Sequence, residues 1–215
     1  MIEKGAKQDP NINELVKDLE NTRKYLENNY KELDARHGDY YKCCFDGKFS
    51  RERFEKVIED YSNALNNYLA SYVALIDHMT TVKNTLRNPQ VTEQYRQKLV
   101  ESGLRHEQAF GKRLRVYVLH YRIPSIDSGH AAEIVAFFNK NKDRGVVGYT
   151  IPFSLALNRQ ELLRWNEWHA GREYLNRPHM KGRIELIPLI RTLHESVLEF
   201  LDWFENVVNN LNKTK

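Results

Sequence analysis

The residues best suited to chemistry are Arg115 and His120, which are separated by four residues near the end of a predicted helix. An arginine binds a phosphate group through two parallel hydrogen bonds. A histidine titrates near neutral pH and can therefore give or take a proton. Together they would suffice to cleave RNA without a metal ion. The arginine would stabilise the charge on the phosphorane, and the histidine would act as acid or base on the 2′-hydroxyl or the leaving oxygen.

Four neighbouring side chains, Arg113, Tyr117, Tyr121 and Arg122, extend this candidate site. Cationic side chains neutralise phosphates and aromatic rings stack on unpaired bases, so the group predicts binding of single-stranded RNA. Tyr117 and Tyr121 also fit the apolar face of the predicted helix, where packing in the core would use at least one of them instead.

Arg115 and His120 do not share one face of a straight helix, because residues five apart lie about 140° around and about 7.5 Å along its axis. Either the helix unwinds before Pro124, or the site is completed by the same residues of a twofold-related chain. A purely structural interpretation is also open, in which Arg115 pairs with a carboxylate of the bundle and His120 caps the end of its helix.

The rest of the sequence predicts a helical frame, since apolar side chains recur at three- and four-residue spacing. The predicted helices extend from Asn11 to about Arg36, from the cap Ser50 to Leu86, from Thr92 to about Val100, from His106 to about Tyr121 and from about Glu185 to Leu211, and Asn158 caps a further short one. We expect His37-Gly38-Asp39 to end the first helix, residues 40–49 to form a loop, and Asn88-Pro89 to end the second helix.

Residues 146–157 differ from this pattern, because apolar and polar side chains alternate there. A period of two predicts a strand, and Pro152 restricts it to a sheet edge. Its expected partner is the segment 132–138, for which a helical turn is the alternative. The predicted fold is therefore all-α: one domain, a bundle of about five to six helices with a small β-hairpin insertion. Residues of about 50–122 form the core helices, about 130–157 the insertion, and 158–211 the C-terminal helices.

Composition excludes several classes of protein. The 215 residues include 33 Lys and Arg and 29 Asp and Glu, a net charge of +4 that is compatible with a polyanionic partner such as RNA. The mean hydropathy is −0.68, no apolar run approaches the roughly 18 residues that span a bilayer, and no signal peptide is visible. We therefore expect a cytoplasmic protein with no membrane partner. The adjacent Cys43 and Cys44 predict reduced thiols, and no cluster of ligands for a metal or cofactor is visible.

The pair Arg115 and His120, late in an all-α chain, resembles the motif of the HEPN superfamily, which is an arginine, four to six intervening residues and a histidine. The chain is also similar to bacterial HEPN-like proteins at Leu75-Ile76-Asp77-His78, on the preceding helix, and at Leu157–Leu163, which a tryptophan follows. The resemblance covers roughly residues 50–210.

This resemblance implies a domain that dimerises and cleaves RNA without a metal, leaving 2′,3′-cyclic phosphate ends, as a toxin or in defence against phage. Arg115 would bind the scissile phosphate and His120 would transfer the proton, with an antitoxin or another defence protein as a further partner. Taken alone, Asp77 with His78 is interpreted as a polar pair at the edge of the core, and the resemblance adds both to the substrate-binding residues. The chain departs from the motif at Val116, where active members usually have a polar residue.

Two other classes of function stay open. One is a non-catalytic HEPN-like module that binds RNA, a nucleotide or a protein partner. The other is an interaction protein that associates through the near-heptad apolar seam of the last helix. Cleavage of RNA by the purified chain would distinguish the first interpretation from both.

Overall fold

The computed structural model describes residues 12–45, 50–121, 155–180 and 183–213. These residues form seven α-helices and a two-stranded antiparallel sheet, which confirms the predicted fold class. The helices are α1 Ile12–Phe45, α2 Arg51–Leu86, α3 Pro89–Glu101, α4 Leu104–Tyr121, α5 Arg159–Arg164, α6 Gly171–Leu175 and α7 Leu186–Lys213, and the strands are β1 Ala156–Asn158 and β2 Arg183–Glu185. Of the helices described, none combines the length and the apolar character needed to cross a bilayer.

Side-chain caps fix the starts of three helices. Ser50, Asn88 and Asn158 each accept a hydrogen bond from a backbone N–H two or three residues later, at 2.9–3.2 Å. The caps at Ser50 and Asn158 were predicted and are confirmed. Asn88 is the last residue between α2 and α3 and caps the start of α3. Pro89 occupies the first turn of α3, where its missing N–H costs nothing. α3 therefore begins earlier than the predicted Thr92.

The first helix is longer than predicted. α1 continues through His37-Gly38-Asp39 to its end, so the expected stop there is wrong, and residues 40–45 are helical rather than a loop. The reason is tertiary packing: Tyr40, Cys43 and Cys44 are buried, and their burial outweighs the modest cost of one glycine inside a helix. Both cysteines are reduced thiols, as expected.

α1 and α2 run antiparallel and pack against each other along most of their length. The ring contacts give the direction, because Tyr30 lies against Tyr68 and, later on α1, Tyr40 lies against Phe54. Every seventh residue of α1 is buried, at Leu19, Leu26, Leu33 and Tyr40. This heptad spacing is typical of helices that pack nearly parallel or antiparallel over several turns.

The apolar seam of α7 is buried within the same chain, where α7 packs on α1, α2 and α4. The seam residues, each at most 1% exposed, are Leu186, Ile190, Leu193, Val197, Leu201, Phe204 and Val208. The seam therefore forms part of the core and is not available for association with another chain, which removes the interpretation as an interaction protein of that kind.

The two strands are distant in sequence. β1 pairs antiparallel with β2, with Leu157 opposite Ile184 and both side chains buried. The structure confirms a strand at residues 156–157, but in the part that it describes the partner is β2, in a stretch where the sequence predicts no strand. Residues 130–154, with the expected partner 132–138, lie outside the described residues.

Candidate functional site

The core-facing side of α4 fixes how the candidate residues are presented. Phe110, Leu114, Tyr117 and Val118 are buried, as predicted, and α4 packs on α2, α6 and α7. Phe110 stacks on Trp168, with ring centroids 5.3 Å apart. Because these positions are held in the core, the rotation of α4 about its own axis is fixed.

Arg113 and Arg115 lie at the two edges of this buried face and are half-buried. Neither guanidinium has a hydrogen-bond or ion-pair partner in the described part of the chain, so the pairing of Arg115 with a bundle carboxylate is not observed there. The neighbouring Lys112, by contrast, pairs with Asp77 of α2. A half-buried cation without a counter-charge is well suited to receive an anion.

His120 and Tyr121 belong to the last turn of α4, but their side chains, and Arg122 as a whole, lie outside the described residues. The backbone is helical through Tyr121, so positions 115 and 120 remain about 140° apart around the axis. Arg113 precedes His120 by seven residues, almost two full turns, and these two positions therefore lie within about 20° of each other.

Helix geometry thus places Arg113, rather than Arg115, on the same side of α4 as position 120. The sequence alone could have predicted this placement of Arg113, since a separation of seven residues keeps two positions on one helix face and a separation of five does not. Positions 115 and 120 of one chain therefore do not share a face of α4.

Asp77 and His78 connect α2 to two different helices. The Asp77 carboxylate pairs with Lys112 on α4. His78 Nδ1 lies 2.8 Å from the Thr22 hydroxyl on α1. Because that hydroxyl donates its one proton to the Asp18 carbonyl at 2.9 Å, the His78 nitrogen must be the donor. The structure therefore brings Asp77 to the candidate helix and holds His78 against α1, and no hydrogen bond or ion pair joins the two side chains within the described residues.

A buried polar cluster escaped the sequence analysis. Glu107, in the first turn of α4, is only 5% exposed and interacts with Tyr68, Tyr72 and Tyr174. Within the described residues, Glu107 Oε1 and the Tyr68 and Tyr72 hydroxyls have no hydrogen-bond partner. Burial raises the pKa of the Glu107 carboxyl, and a hydrogen bond with Ser196 opposes this only in part. A glutamate in the first turn of a helix is usually a surface residue, so the sequence does not predict that Glu107 is buried.

Glu107→Gln is expected to change how stability depends on pH. The folded chain keeps a proton on Glu107 above the usual pKa of 4.5, where the unfolded chain has released it. The free energy of unfolding of the wild type therefore falls as the pH rises from about 4.5 through the raised pKa. Glutamine has no proton to release, so we expect the variant to gain stability relative to the wild type across this window and to match it at lower pH.

Urea denaturation over this pH range measures the effect. Glu199→Gln, at an exposed position of α7, is the matched control and should keep the pH dependence of the wild type. If the stability of Glu107→Gln runs parallel to that of the wild type at every pH, the Glu107 carboxyl titrates like an exposed one.

The remaining histidines and carboxylates do not form a metal centre in the part of the chain described. There, no group of three or more His, Cys, Asp or Glu side chains is arranged to hold an ion. His106, for example, is used structurally, with Nε2 3.4 Å from the Glu173 carboxylate and Nδ1 3.2 Å from the Ala170 carbonyl. Comparison of the chain with known protein families, curated proteins and solved structures found no match.

Proposed function

We propose that the chain is a metal-independent endoribonuclease of the HEPN type, which acts as a homodimer and serves as a toxin or an effector of defence against phage. The observation that carries the proposal is the pair Arg113 and Arg115, two half-buried arginines with no counter-charge among the described residues, on the helix whose last turn contains His120. Cations placed beside a reacting phosphate stabilise the negative charge that develops on a phosphorane.

In the proposed reaction, the 2′-hydroxyl of a ribose attacks the adjacent phosphorus while an arginine binds the non-bridging oxygens. A base takes the proton of the 2′-hydroxyl, and an acid gives a proton to the 5′-oxygen as its bond to phosphorus breaks. The products carry a 2′,3′-cyclic phosphate and a 5′-hydroxyl. The reaction needs two proton transfers, and in each composite site a single His120 makes both in turn: it takes the proton of the 2′-hydroxyl and then gives it to the leaving 5′-oxygen.

A homodimer is supported by the geometry of α4. Positions 115 and 120 of one chain lie on different sides of the helix, so a site that uses Arg115 and His120 needs residues from both chains. Static light scattering should therefore report a dimer of the 25.5 kDa chain. A monomer at micromolar concentration would contradict the composite site, although not a site made by Arg113 and His120 within one chain.

The purified chain is expected to cleave single-stranded RNA at a rate that EDTA leaves unchanged, because every group in the proposed reaction is a protein side chain. Gel analysis of a labelled RNA measures the rate, and mass spectrometry of the fragments should identify the cyclic phosphate. Loss of cleavage on chelation, with recovery on adding Mg²⁺ or Mn²⁺, would replace this mechanism with a metal-dependent one.

A second candidate function is favoured by Val116. This residue follows Arg115 and is half-buried, whereas the HEPN resemblance implies a polar residue there in active members. The chain would then be a non-catalytic module that binds RNA, a nucleotide or a protein such as an antitoxin. A shift of the labelled RNA on a native gel, with no cleavage in the assay just described, would select this function over the first.

A further inference from the structure

A groove of about 440 Å³ lies between α2, α3 and α4. The described residues that line it include four cations and no carboxylate: Lys83 from α2, Arg96 from α3, and Arg105 and Lys112 from α4. Arg113 and Arg115 are not among its lining residues. The groove is therefore a separate basic site, assembled from three helices.

Among the described residues, two of the four cations pair with a carboxylate and the other two do not. Arg96 pairs with Glu93 at 2.9 Å, a contact between exposed side chains that contributes little to stability, and Lys112 pairs with Asp77. Lys83 lies over the Tyr95 ring, 5.0 Å from its centroid, without a carboxylate partner in the described part of the chain. Arg105 is exposed and likewise has no partner there.

The wall of the groove supplies a further donor. Gln108 is 7% exposed and lines the groove, and its Nε2 has no hydrogen-bond acceptor among the described residues. A buried amide donor without an acceptor is destabilising, so native structures rarely leave one unpaired. An anionic oxygen bound in the groove would neutralise Arg105 and Lys83, and a rotation of the Gln108 amide toward the groove would give its donor this acceptor.

We propose that this groove binds a phosphate group, either of an RNA strand or of a free nucleotide. Cations that reach the groove from three helices suit a tetrahedral anion, whose oxygens point in several directions. An arginine such as Arg105 can bind two of these oxygens at once. The volume is within the range of sites for small ligands. This inference does not depend on cleavage, since it concerns binding by residues outside the proposed catalytic pair.

Arg105→Glu tests the proposal, because Arg105 is exposed and its replacement leaves the core intact. Isothermal titration calorimetry with AMP, and separately with a short single-stranded oligonucleotide in which every 2′-hydroxyl is methylated, measures binding without cleavage. We expect Arg105→Glu to weaken binding of the probe at least about tenfold. The matched control is Arg191→Glu, an exposed arginine of α7 outside the groove, which makes the same change in net charge and should alter the affinity less than about twofold.

A second variant tests the wall of the groove. Gln108→Leu removes the unpartnered donor and keeps a similar volume, so we expect weaker binding with no loss of stability in urea. Binding of AMP identifies a free nucleotide as the source of the phosphate, and binding of the oligonucleotide alone identifies an RNA strand. The proposal is overturned if neither probe binds, or if Arg105→Glu and Arg191→Glu weaken binding equally. A chain that binds a probe through the groove and cleaves no RNA would remove the ribonuclease proposal and leave this one.

Discussion

His120→Ala is expected to lower the rate of RNA cleavage by about 10²–10⁴, because the variant can no longer transfer the proton. Arg115→Ala should cost a comparable factor through lost stabilisation of the charge on the phosphorane. Single-turnover assays on a labelled RNA measure both rates. Circular dichroism establishes that the variants are folded, so that a lost rate is assigned to the site.

Mixing the two variants tests whether the site is shared between chains. In a heterodimer of Arg115→Ala with His120→Ala, one of the two composite sites keeps both an arginine and a histidine. Random reassociation should therefore restore about a quarter of the wild-type rate, since about half of the dimers are heterodimers with one intact site each. The unmixed variants are the controls. Mixing that restores nothing would contradict a shared site.

The alternative to a shared site is a site within one chain that uses Arg113. Arg113 lies on the same side of α4 as position 120, so a site within one chain would use Arg113 and His120. In that case Arg113→Ala should abolish cleavage, Arg115→Ala should not, and mixing Arg113→Ala with His120→Ala should leave the activity lost. The set of three variants therefore decides which arginine acts and whether one chain suffices.

Gly111→Ala is expected to destabilise the chain by about 1–3 kcal/mol. A Cβ at this position of α4 would overlap the ring of Tyr72 on α2. Tyr72 is completely buried, so its ring cannot turn out into solvent to avoid the overlap. The cost of this overlap exceeds the gain in helix propensity that alanine brings over glycine, about 1 kcal/mol.

Gly38→Ala is the matched control, because Gly38 also lies inside a long helix but has no atom within 4 Å of the position of a Cβ. Here only the propensity changes, and we expect the variant to gain about 0.5–1 kcal/mol. Urea denaturation of both variants measures the free energies of unfolding. If both substitutions stabilise the chain, α2 and α4 are packed less closely at Tyr72 than the structure indicates.

Local spacing was sufficient to predict most of the helical frame. The apolar periodicity of α2, the caps Ser50 and Asn158 and the seam of α7 were all readable, because each depends on residues close together in sequence. The end of α1 was not, since the burial of Tyr40 against α2 overrides a glycine that would otherwise favour a stop. The pairing of β1 with β2 was missed for a related reason: short strands far apart in sequence carry no local signal of their partner.

Only part of the candidate site could be predicted from the sequence. Residue type and the identity of the helix marked Arg115 and His120, but only the separation of seven places Arg113 beside position 120. The basic groove has no sequence motif, because Lys83, Arg96 and Arg105 come from three helices that only tertiary packing brings together. The burial of Glu107 was equally hidden, since an acidic residue in the first turn of a helix is ordinarily a surface residue.

Because the two thiols are buried, their reactivity can measure how often the last turns of α1 open. Cys43 and Cys44 are 1% and 6% exposed, so an alkylating reagent reaches them only when this end of the helix detaches from α2 or the whole chain unfolds. The rate of alkylation under native conditions therefore reports the opening of this helix end together with global unfolding, and an excess over the global unfolding equilibrium is the local opening. No label needs to be introduced, because the other 213 residues contain no cysteine.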